Sequence, residues 1–333
     1  MRPSTGWTLL RRVTIVTGTH LGPVALIEIF LKTIPFFALI GLGYWAGRTG
    51  FFNETATAYL TKFVFYFALS ALIFRFSSNL TLADVWNTNL VVGYFLATLA
   101  LYLLVVLVAL ARRQDLATAA VEAQCATMGN VGFLGFPMLT LLLGPEAVGP
   151  IVMAVSVDLA VFASLIVILI TASREGRIGL NTLRLVGASL IRNPMVVAIV
   201  AGLCWSVLQL PIPGPAAEFL DILAAAATPG ALFAIGASIA SKSAERLQVA
   251  AWLSFCKLGL HPALVALFLI VVFPVDPYTS AVVISAASLP VAGNVFILAQ
   301  HYGVAPQRAS AAILISTVFS IFTVSAIIAF VSP

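Results

Sequence analysis

Residues 125–138 read CATMGNVGFLGFPM, an apolar stretch that contains three glycines, an asparagine and a proline. Residues 288–296 read SLPVAGNVF and combine the same residue types in the second half of the chain. Glycine and proline at this density disfavour a continuous helix, because glycine adds backbone freedom and proline removes a hydrogen-bond donor. We therefore expect one interrupted helix in each half of the chain.

The composition indicates whether these stretches lie in a soluble protein or in a membrane. Of 333 residues, 61% are hydrophobic and 9% are charged, and the mean hydropathy is +1.10. A soluble domain carries roughly a quarter charged residues, so 17 basic and 12 acidic side chains cannot cover a soluble fold of this size. This excludes a cytosolic enzyme, a nucleic-acid-binding module and a disordered protein. What remains is an integral membrane protein that has the lipid bilayer as a partner and needs no nucleic acid to explain its basic charge.

The apolar runs predict an all-α polytopic membrane protein. A helix needs about 20 apolar residues to cross the hydrocarbon core, and lipid offers no hydrogen-bond partner to an open backbone. Runs such as 99–111 also lack the alternation of a β-barrel strand. We interpret residues 1–22 as an N-terminal tail. Ten spans are predicted after it, at residues 25–47, 57–77, 88–111, 117–143, 147–172, 193–210, 218–240, 248–274, 278–301 and 306–331.

The basic residues predict an orientation in the membrane. The odd-numbered connections between spans hold ten arginines and lysines, and the even-numbered connections hold none. Basic loops stay in the cytoplasm, which places both termini outside the cell membrane, although Arg2, Arg11 and Arg12 of the tail oppose this orientation. The ten residues are Arg48, Arg112, Arg113, Arg174, Arg177, Arg184, Arg192, Lys242, Arg246 and Arg308.

Two short similarities indicate an internal repeat. The tripeptide GNV occurs at 129–131 and at 293–295, and residues 70–74 resemble residues 230–233. Both similarities are five predicted spans apart, and an odd offset requires opposite orientations in the membrane. We therefore expect two inverted five-helix repeats, over residues 23–172 and 173–333, as in many secondary transporters.

The interruptions predict a substrate site. Broken helices at membrane depth are tolerated where they line protein or a watery cavity, and the amino ends of half-helices attract anions. Amide side chains add donors without a fixed charge. The alternative is that the glycines and prolines only allow helices to cross closely. The candidate substrate-binding residues are Gly129, Asn130, Pro137, Pro290, Gly293 and Asn294.

Several of these motifs together resemble the auxin efflux carrier family, whose plant members are the PIN-type carriers. The likeness covers roughly residues 25–331. It rests on residues 129–137 (GNVGFLGFP), 144–146 (GPE), 192–194 (RNP), 229–238 (PGALFAIGAS), Lys257, His261, Pro262, 289–296 (LPVAGNVF), Ala299, Gln300, Tyr302 and Gly303.

The resemblance implies ten helices in two inverted repeats, with spans 4 and 9 crossing as broken helices near Pro137 and Pro290. It also implies a relation to the bile-acid/sodium symporter fold and an elevator-like exchange of a transport domain against a scaffold. Prokaryotic members of the family are associated with small organic anions such as malate or malonate, and with auxin-like carboxylates.

Ionisable residues at membrane depth are costly and suggest function. Asp158 lies in the middle of an apolar span and could carry a coupling proton, ligate a cation or pair with a buried donor. Lys257 could attract an anion, pair with Asp158 or extend to the membrane interface. We interpret His261, beside Pro262, as a kink-associated packing residue in preference to a proton relay.

Three further polar residues flank the interruptions and could supply oxygen ligands to sodium. They are Glu122 and Gln124 before the first interruption and Gln300 after the second. The coupling ion, H⁺ or Na⁺, is left open, and no cofactor or resident metal is expected. Gly43 and Gly47 have the spacing of a helix-packing face, which could serve a homodimer.

The sequence favours a secondary carrier for a small organic anion over four other readings. A membrane-embedded enzyme would need a catalytic motif, and the sequence has none of the familiar ones. An anion channel of the same fold stays open, because broken helices also line pores. A membrane-embedded sensor and a sodium-coupled symporter stay open as well.

Overall fold

The computed structural model describes residues 23–79, 86–175, 184, 187–188, 191–240 and 247–331. The N-terminal tail and the loop residues Arg177, Lys242 and Arg246 lie outside the described residues. Every regular element of the described residues is helical, which confirms the predicted all-α class. The helices are α1 Pro23–Arg48, α2 Glu54–Ser77, α3 Thr88–Ala111, α4 Leu116–Thr127, α5 Val131–Leu143, α6 Pro145–Arg174, α7 Pro194–Val207, α8 Gly214–Ala240, α9 Leu247–Val272, α10 Pro277–Ala287, α11 Gly293–His301 and α12 Pro306–Val331.

Short polar side chains fix where five of the helices begin. Each residue before the helix accepts a hydrogen bond from a backbone N–H of the first turn, and this satisfies a donor that has no partner within the helix. These capping residues are Asn53, Asn87, Asp115, Asn193 and Asp276.

Seven helices of the described chain are long and apolar enough to cross a membrane, namely α1, α2, α3, α6, α8, α9 and α12. The predicted fourth span is divided into α4 and α5, and the predicted ninth span into α10 and α11. The predicted sixth span is the 14-residue helix α7. The interruptions expected from glycine and proline are therefore present in both halves of the chain.

The surface has the polarity of a protein solvated by lipid. On α3, Leu103, Leu107 and Leu110 form an exposed stripe. The opposite side of the same helix buries the polar residues Tyr94 and Thr98. Exposed leucines and buried hydroxyl groups on one helix are stable when lipid covers the outside.

The helices pack in two groups. Helices α1, α2, α7 and α8 pack against one another, and α3, α4, α6, α9, α10, α11 and α12 share the largest apolar core. Helix α5 lies between the groups, because its apolar residues contact both α8 and α10. We refer to the first set as the four-helix group and to the second as the core group.

Glycines allow α1 and α8 of the four-helix group to approach closely. A Cβ atom at Gly43 would lie 2.1 Å from the carbonyl oxygen of Phe233, and one at Gly236 would lie 1.9 Å from that of Ile40. At Gly47 it would lie 2.7 Å from Cβ of Ala240. The Gly43–Gly47 face therefore packs inside the chain, which corrects its suggested role at a dimer interface.

Connections between helices gather at two ends. At one end, Arg112 and Arg308 both contact Glu122, and Arg174 donates a hydrogen bond to the carbonyl oxygen of Tyr302. These contacts join predicted connections 3, 5 and 9, which supports the expectation that the basic connections share one side.

At the other end, the Asn89 amide donates to the carbonyl oxygen of Pro274 at 3.2 Å. The Tyr278 hydroxyl donates to that of Leu143 at 2.8 Å. These two bonds bring together predicted connections 2, 4 and 8, which hold no basic residue.

Candidate functional site

The two interruptions lie against each other and satisfy each other's backbone. The N–H of Asn130 donates to the carbonyl oxygen of Pro290 at 2.8 Å, and the N–H of Ala292 donates to that of Met128 at 3.0 Å. Gly129 and Val291 thereby form an antiparallel bridge. Because a broken helix leaves polar groups that must be paired inside the protein, the two breaks compensate one another. We call this region, residues 128–131 and 288–293, the crossover.

A third helix fixes the crossover from the side. The N–H of Val291 donates to the hydroxyl of Ser316 on α12 at 3.1 Å, and that hydroxyl donates to the carbonyl oxygen of Ile313. Ser316 is fully buried. The sequence analysis did not single out Ser316, which is one of four serines in α12.

Four helix ends meet at the crossover. Helices α4 and α10 end there, and α5 and α11 begin there. The first N–H groups of a helix have no acceptor within the helix, and they carry partial positive charge. The crossover therefore offers two amino ends to an anion and two carbonyl ends to a cation or an ammonium group.

Asn130 and Asn294 occupy matching positions with different exposure. Asn130 is buried, and its carbonyl oxygen accepts from the N–H groups of Leu134 and Gly135 as α5 begins. Its side chain makes no capping hydrogen bond. Asn294 is exposed in the first turn of α11, beside the exposed Gly293. One amide therefore lies inside the crossover and the other at its open side.

Two prolines and one glycine shape the crossover and its surroundings. Pro137 is buried in α5 where the π-helical turn Val131–Gly135 passes into the α-helical part Phe136–Leu143. Pro290 is buried within the second break and provides the carbonyl oxygen that Asn130 uses. A Cβ atom at Gly135 would lie 2.7 Å from Leu289, so a glycine there lets the two broken spans touch.

Lys257 brings a basic group to the crossover. It is fully buried in a π-helical turn of α9 and donates to the carbonyl oxygen of Ala287, the last residue of α10. A Cβ atom at Gly129 would lie 3.2 Å from its Nζ atom. The expectation that Lys257 extends to the interface is wrong, because the ammonium instead caps a helix end, where negative partial charge stabilises it.

Asp158 lies on the core-group side and does not touch Lys257 directly. It is buried at the start of a π-helical turn of α6, and its Oδ1 atom accepts from the Tyr94 hydroxyl at 2.9 Å. Asp158 and Lys257 nevertheless lie near enough to influence each other electrostatically. Wide π turns are frequent at functional sites, and both residues occupy one.

Glu122 has a different role from the predicted sodium ligand. It is fully buried on α4, and its two carboxylate oxygens accept from Arg112 and Arg308. Arg308 also donates to Gln114. Glu122 therefore serves as the shared counter-ion of two arginines and ties α4 to α12.

The two remaining candidate sodium ligands, Gln124 and Gln300, differ in their exposure. Gln124 is buried on α4 and its Oε1 atom has no hydrogen-bond partner, whereas Gln300 is exposed near the end of α11. Within the described part of the chain, no cluster of three His, Cys, Asp or Glu side chains is placed to hold a metal ion. Gln124 and Gln300 therefore differ in exposure, and both carboxylate oxygens of Glu122 already accept from arginines.

Comparison with known proteins identifies the family. Residues 28–328 match the family described as membrane transport protein. The chain belongs to this transporter family. The match confirms the resemblance to the auxin efflux carriers.

Two curated relatives of the transporter cover nearly the whole chain. A protein of Rhizobium meliloti (strain 1021) named "Putative malonate transporter" is 30% identical over 304 residues, which are 90% of this chain and 95% of the relative. A protein of Escherichia coli (strain K12) named "Uncharacterized transporter YfdV" is 25% identical over 307 residues, covering 87% of this chain and 93% of the relative.

Proposed function

We propose that this transporter is a secondary active carrier for a small organic anion of the dicarboxylate type, with its binding site at the crossover. The observation that carries the proposal is the pairing of the two breaks, which presents the amino ends of α5 and α11 at one place. Half-helix amino ends are a recurring way to hold a substrate carboxylate in transporters. The buried ammonium of Lys257 beside Gly129 adds positive charge to the same region.

The proposed substrate class follows from the hydrogen-bond donors of the site and from the name of the Rhizobium relative. The amide of Asn130 and the helix ends donate hydrogen bonds without a fixed charge, so they can hold a carboxylate and still release it. The Rhizobium relative is named as a malonate transporter. Malonate is therefore the first substrate to test, followed by malate and auxin-like monocarboxylates.

The packing supports alternating access of the elevator type. The four-helix group forms a close-packed unit around α1 and α8, and the core group together with α5 carries both breaks. Movement of the core group against the four-helix group would carry the crossover across the membrane. We propose that the chain has ten spans in two inverted repeats, over residues 23–172 and 173–333. In the proposed orientation in the inner cell membrane, the basic connections lie in the cytoplasm and both termini lie on the opposite side.

The test is exchange in proteoliposomes. Purified transporter is reconstituted into vesicles loaded with unlabelled malonate, and entry of labelled malonate is followed. A carrier gives saturable entry that internal malonate accelerates, whereas a channel shows no such acceleration and a sensor shows binding without entry. Replacing external sodium by choline separates a sodium-coupled symporter from a carrier that does not use sodium. Absence of both binding and entry for the tested carboxylates would refute the proposal.

A further inference from the structure

A line of buried polar side chains joins Asp158 to the crossover. Asp158 accepts from the Tyr94 hydroxyl at 2.9 Å. The Thr98 hydroxyl lies next to Tyr94, one helical turn further along α3. All three side chains are at most 5% exposed. Polar groups buried this deeply in an apolar core are costly unless they are paired. Asp158 and Tyr94 are paired with each other, and Thr98 is paired with His261.

The line continues on α9. Thr98 Oγ1 lies 3.1 Å from His261 Nε2, and His261 Nδ1 lies 3.0 Å from Lys257 Nζ. Lys257 in turn donates to the carbonyl oxygen of Ala287 at the crossover. His261 and Lys257 are fully buried. His261 is thus a link between two helices, which corrects its interpretation as a packing residue.

The donors of this line can all point the same way. An ammonium has no acceptor atom, so Lys257 donates to Nδ1 of a neutral imidazole, and the imidazole proton is on Nε2. Nε2–H then donates to Thr98, and the Tyr94 hydroxyl donates to Asp158. Rotation of the Thr98 hydroxyl toward the adjacent Tyr94 oxygen completes the line. A proton added at Lys257 can therefore appear at Asp158 by one hop per bond.

We propose that this line, the Lys257–Asp158 relay, is the proton-coupling path of the carrier, and that Asp158 takes up a proton when an anion binds at the crossover. The proposal rests on the proposed function. Without substrate, the ammonium of Lys257 and the carboxylate of Asp158 balance each other in a buried region. A substrate anion beside Lys257 becomes the counter-charge of the ammonium. The Asp158 carboxylate is then left without a counter-charge. Because an unbalanced buried charge is strongly unfavourable, a proton binds to the carboxylate.

The proton balance of the relay is simple. A hydronium ion at the crossover supplies the proton and is left as water. The Lys257 ammonium passes one of its protons to His261 Nδ1, and the proton from hydronium binds the Nζ atom in its place. At each further step one N–H or O–H bond breaks and one forms, and the last bond to form is on the Asp158 carboxyl. The relay ends with one more proton than it began with. By linkage, the same coupling makes acid raise the affinity for the anion.

Other ionisable groups do not complicate this path. Within the described residues, the titratable groups that face it are Tyr94 of α3, Asp158 of α6, and His261 and Lys257 of α9. Among its described residues, helix α10 contributes the backbone carbonyl of Ala287, which accepts from Lys257 and also lies beside His261. The proton is therefore expected to bind within the relay itself.

The test measures protons and malonate together. Detergent-solubilised transporter is titrated with malonate by calorimetry in two buffers of different ionisation enthalpy, and the difference gives the protons bound per malonate. We expect uptake of about one proton for the wild type, in line with the linkage of the two binding events. Asp158→Asn should bind malonate with no uptake. Equal proton uptake in Asp158→Asn and the wild type would overturn the relay and leave the proposed function intact. Absence of malonate binding to the wild type would refute both.

A rate measurement tests the path itself and remains available if Asp158→Asn does not fold. Tyr94→Phe keeps the ring and removes the hydroxyl that donates to Asp158. Tyr102→Phe is the matched control, because Tyr102 is buried on the same helix and its hydroxyl contacts the carbonyl oxygen of Ala120 instead. In stopped-flow mixing with malonate and a pH-sensitive dye, Tyr94→Phe should slow proton uptake at least tenfold and Tyr102→Phe should not. Equal rates in both variants would overturn the proposal.

Discussion

The backbone N–H of Asn130 and the carbonyl oxygen of Pro290 are 2.8 Å apart, although 160 residues separate them in the chain. This bond joins the break of the first half to the break of the second. Each break would expose unpaired backbone on its own, which is unfavourable at membrane depth. Neither half of the chain is therefore complete without the other, and the predictions below follow from that mutual dependence.

Loss of either crossover amide should weaken substrate binding. A hydrogen bond to a charged ligand contributes about 1.5–3 kcal/mol, so Asn130→Ala and Asn294→Ala should each lower malonate affinity roughly ten- to a hundredfold. Binding is measured by calorimetry on purified protein, with expression and monodispersity checked by size-exclusion chromatography. Asn89→Ala is the control, because the Asn89 amide lies at the amino end of α3 and donates a hydrogen bond to the carbonyl oxygen of Pro274. Wild-type affinity in both crossover variants would remove the amides from the site.

A methyl group at Gly129 should disturb the crossover through Lys257. The added Cβ atom would lie 3.2 Å from Lys257 Nζ and 3.3 Å from the carbonyl oxygen of Ala286. Overpacking of this kind costs about 1–3 kcal/mol, so Gly129→Ala should lower the thermal midpoint of unfolding. Gly41→Ala provides the comparison, since nothing lies within 4 Å of a Cβ atom there. An unchanged midpoint for Gly129→Ala would show that Lys257 is free to move away.

Glu122 should stabilise the fold without binding sodium. Glu122→Gln leaves Arg112 and Arg308 without their shared counter-ion, and breaking a buried ion pair costs about 3 kcal/mol. We expect a clear drop in the thermal midpoint, and the same response to sodium as in the wild type. The exposed pair of Arg75 and Asp221 offers the contrast, and Asp221→Asn should have a smaller effect. Loss of a sodium-dependent uptake in Glu122→Gln would restore the sodium-ligand role.

Asp158 should determine how transport responds to pH. In proteoliposomes, an acidic outside should drive malonate accumulation by the wild type, because proton and anion bind together. Asp158→Asn should abolish this accumulation and spare malonate–malonate exchange, since exchange needs no net proton movement. The comparison is made by following labelled malonate with and without a pH gradient. Accumulation that still follows the gradient in Asp158→Asn would exclude Asp158 from coupling.

The interruptions could be predicted from the sequence because their signals are local. Glycine and proline act on the backbone at their own positions, so residues 125–138 and 288–296 indicated breaks before any contact was known. That the two breaks cross was implied by the family resemblance and suggested by the repeated GNV tripeptide, but the bond between Asn130 and Pro290 was not predicted. Which groups come into contact inside the protein depends on how helices that are distant in sequence pack against one another.

The roles of single charged residues were harder to predict. Glu122 and Asp158 are both acidic residues in apolar helices, and sequence alone does not show that two arginines reach Glu122 and one tyrosine reaches Asp158. Tyr94 and Thr98 are four residues apart, as are Lys257 and His261. Equal spacing of polar residues on two apolar helices is the signal that could have pointed to the relay.

The bridge between Gly129 and Val291 also says where the transporter can and cannot be locked. Since the two broken spans are bonded to each other, the proposed elevator movement would carry them as one piece, and we expect a disulfide across the bridge to leave that movement unaffected. A cross-link that stops transport has to join that piece to the four-helix group. The stacked rings of Phe65 on α2 and Phe133 on α5, with centroids 5.9 Å apart, mark the place to engineer it.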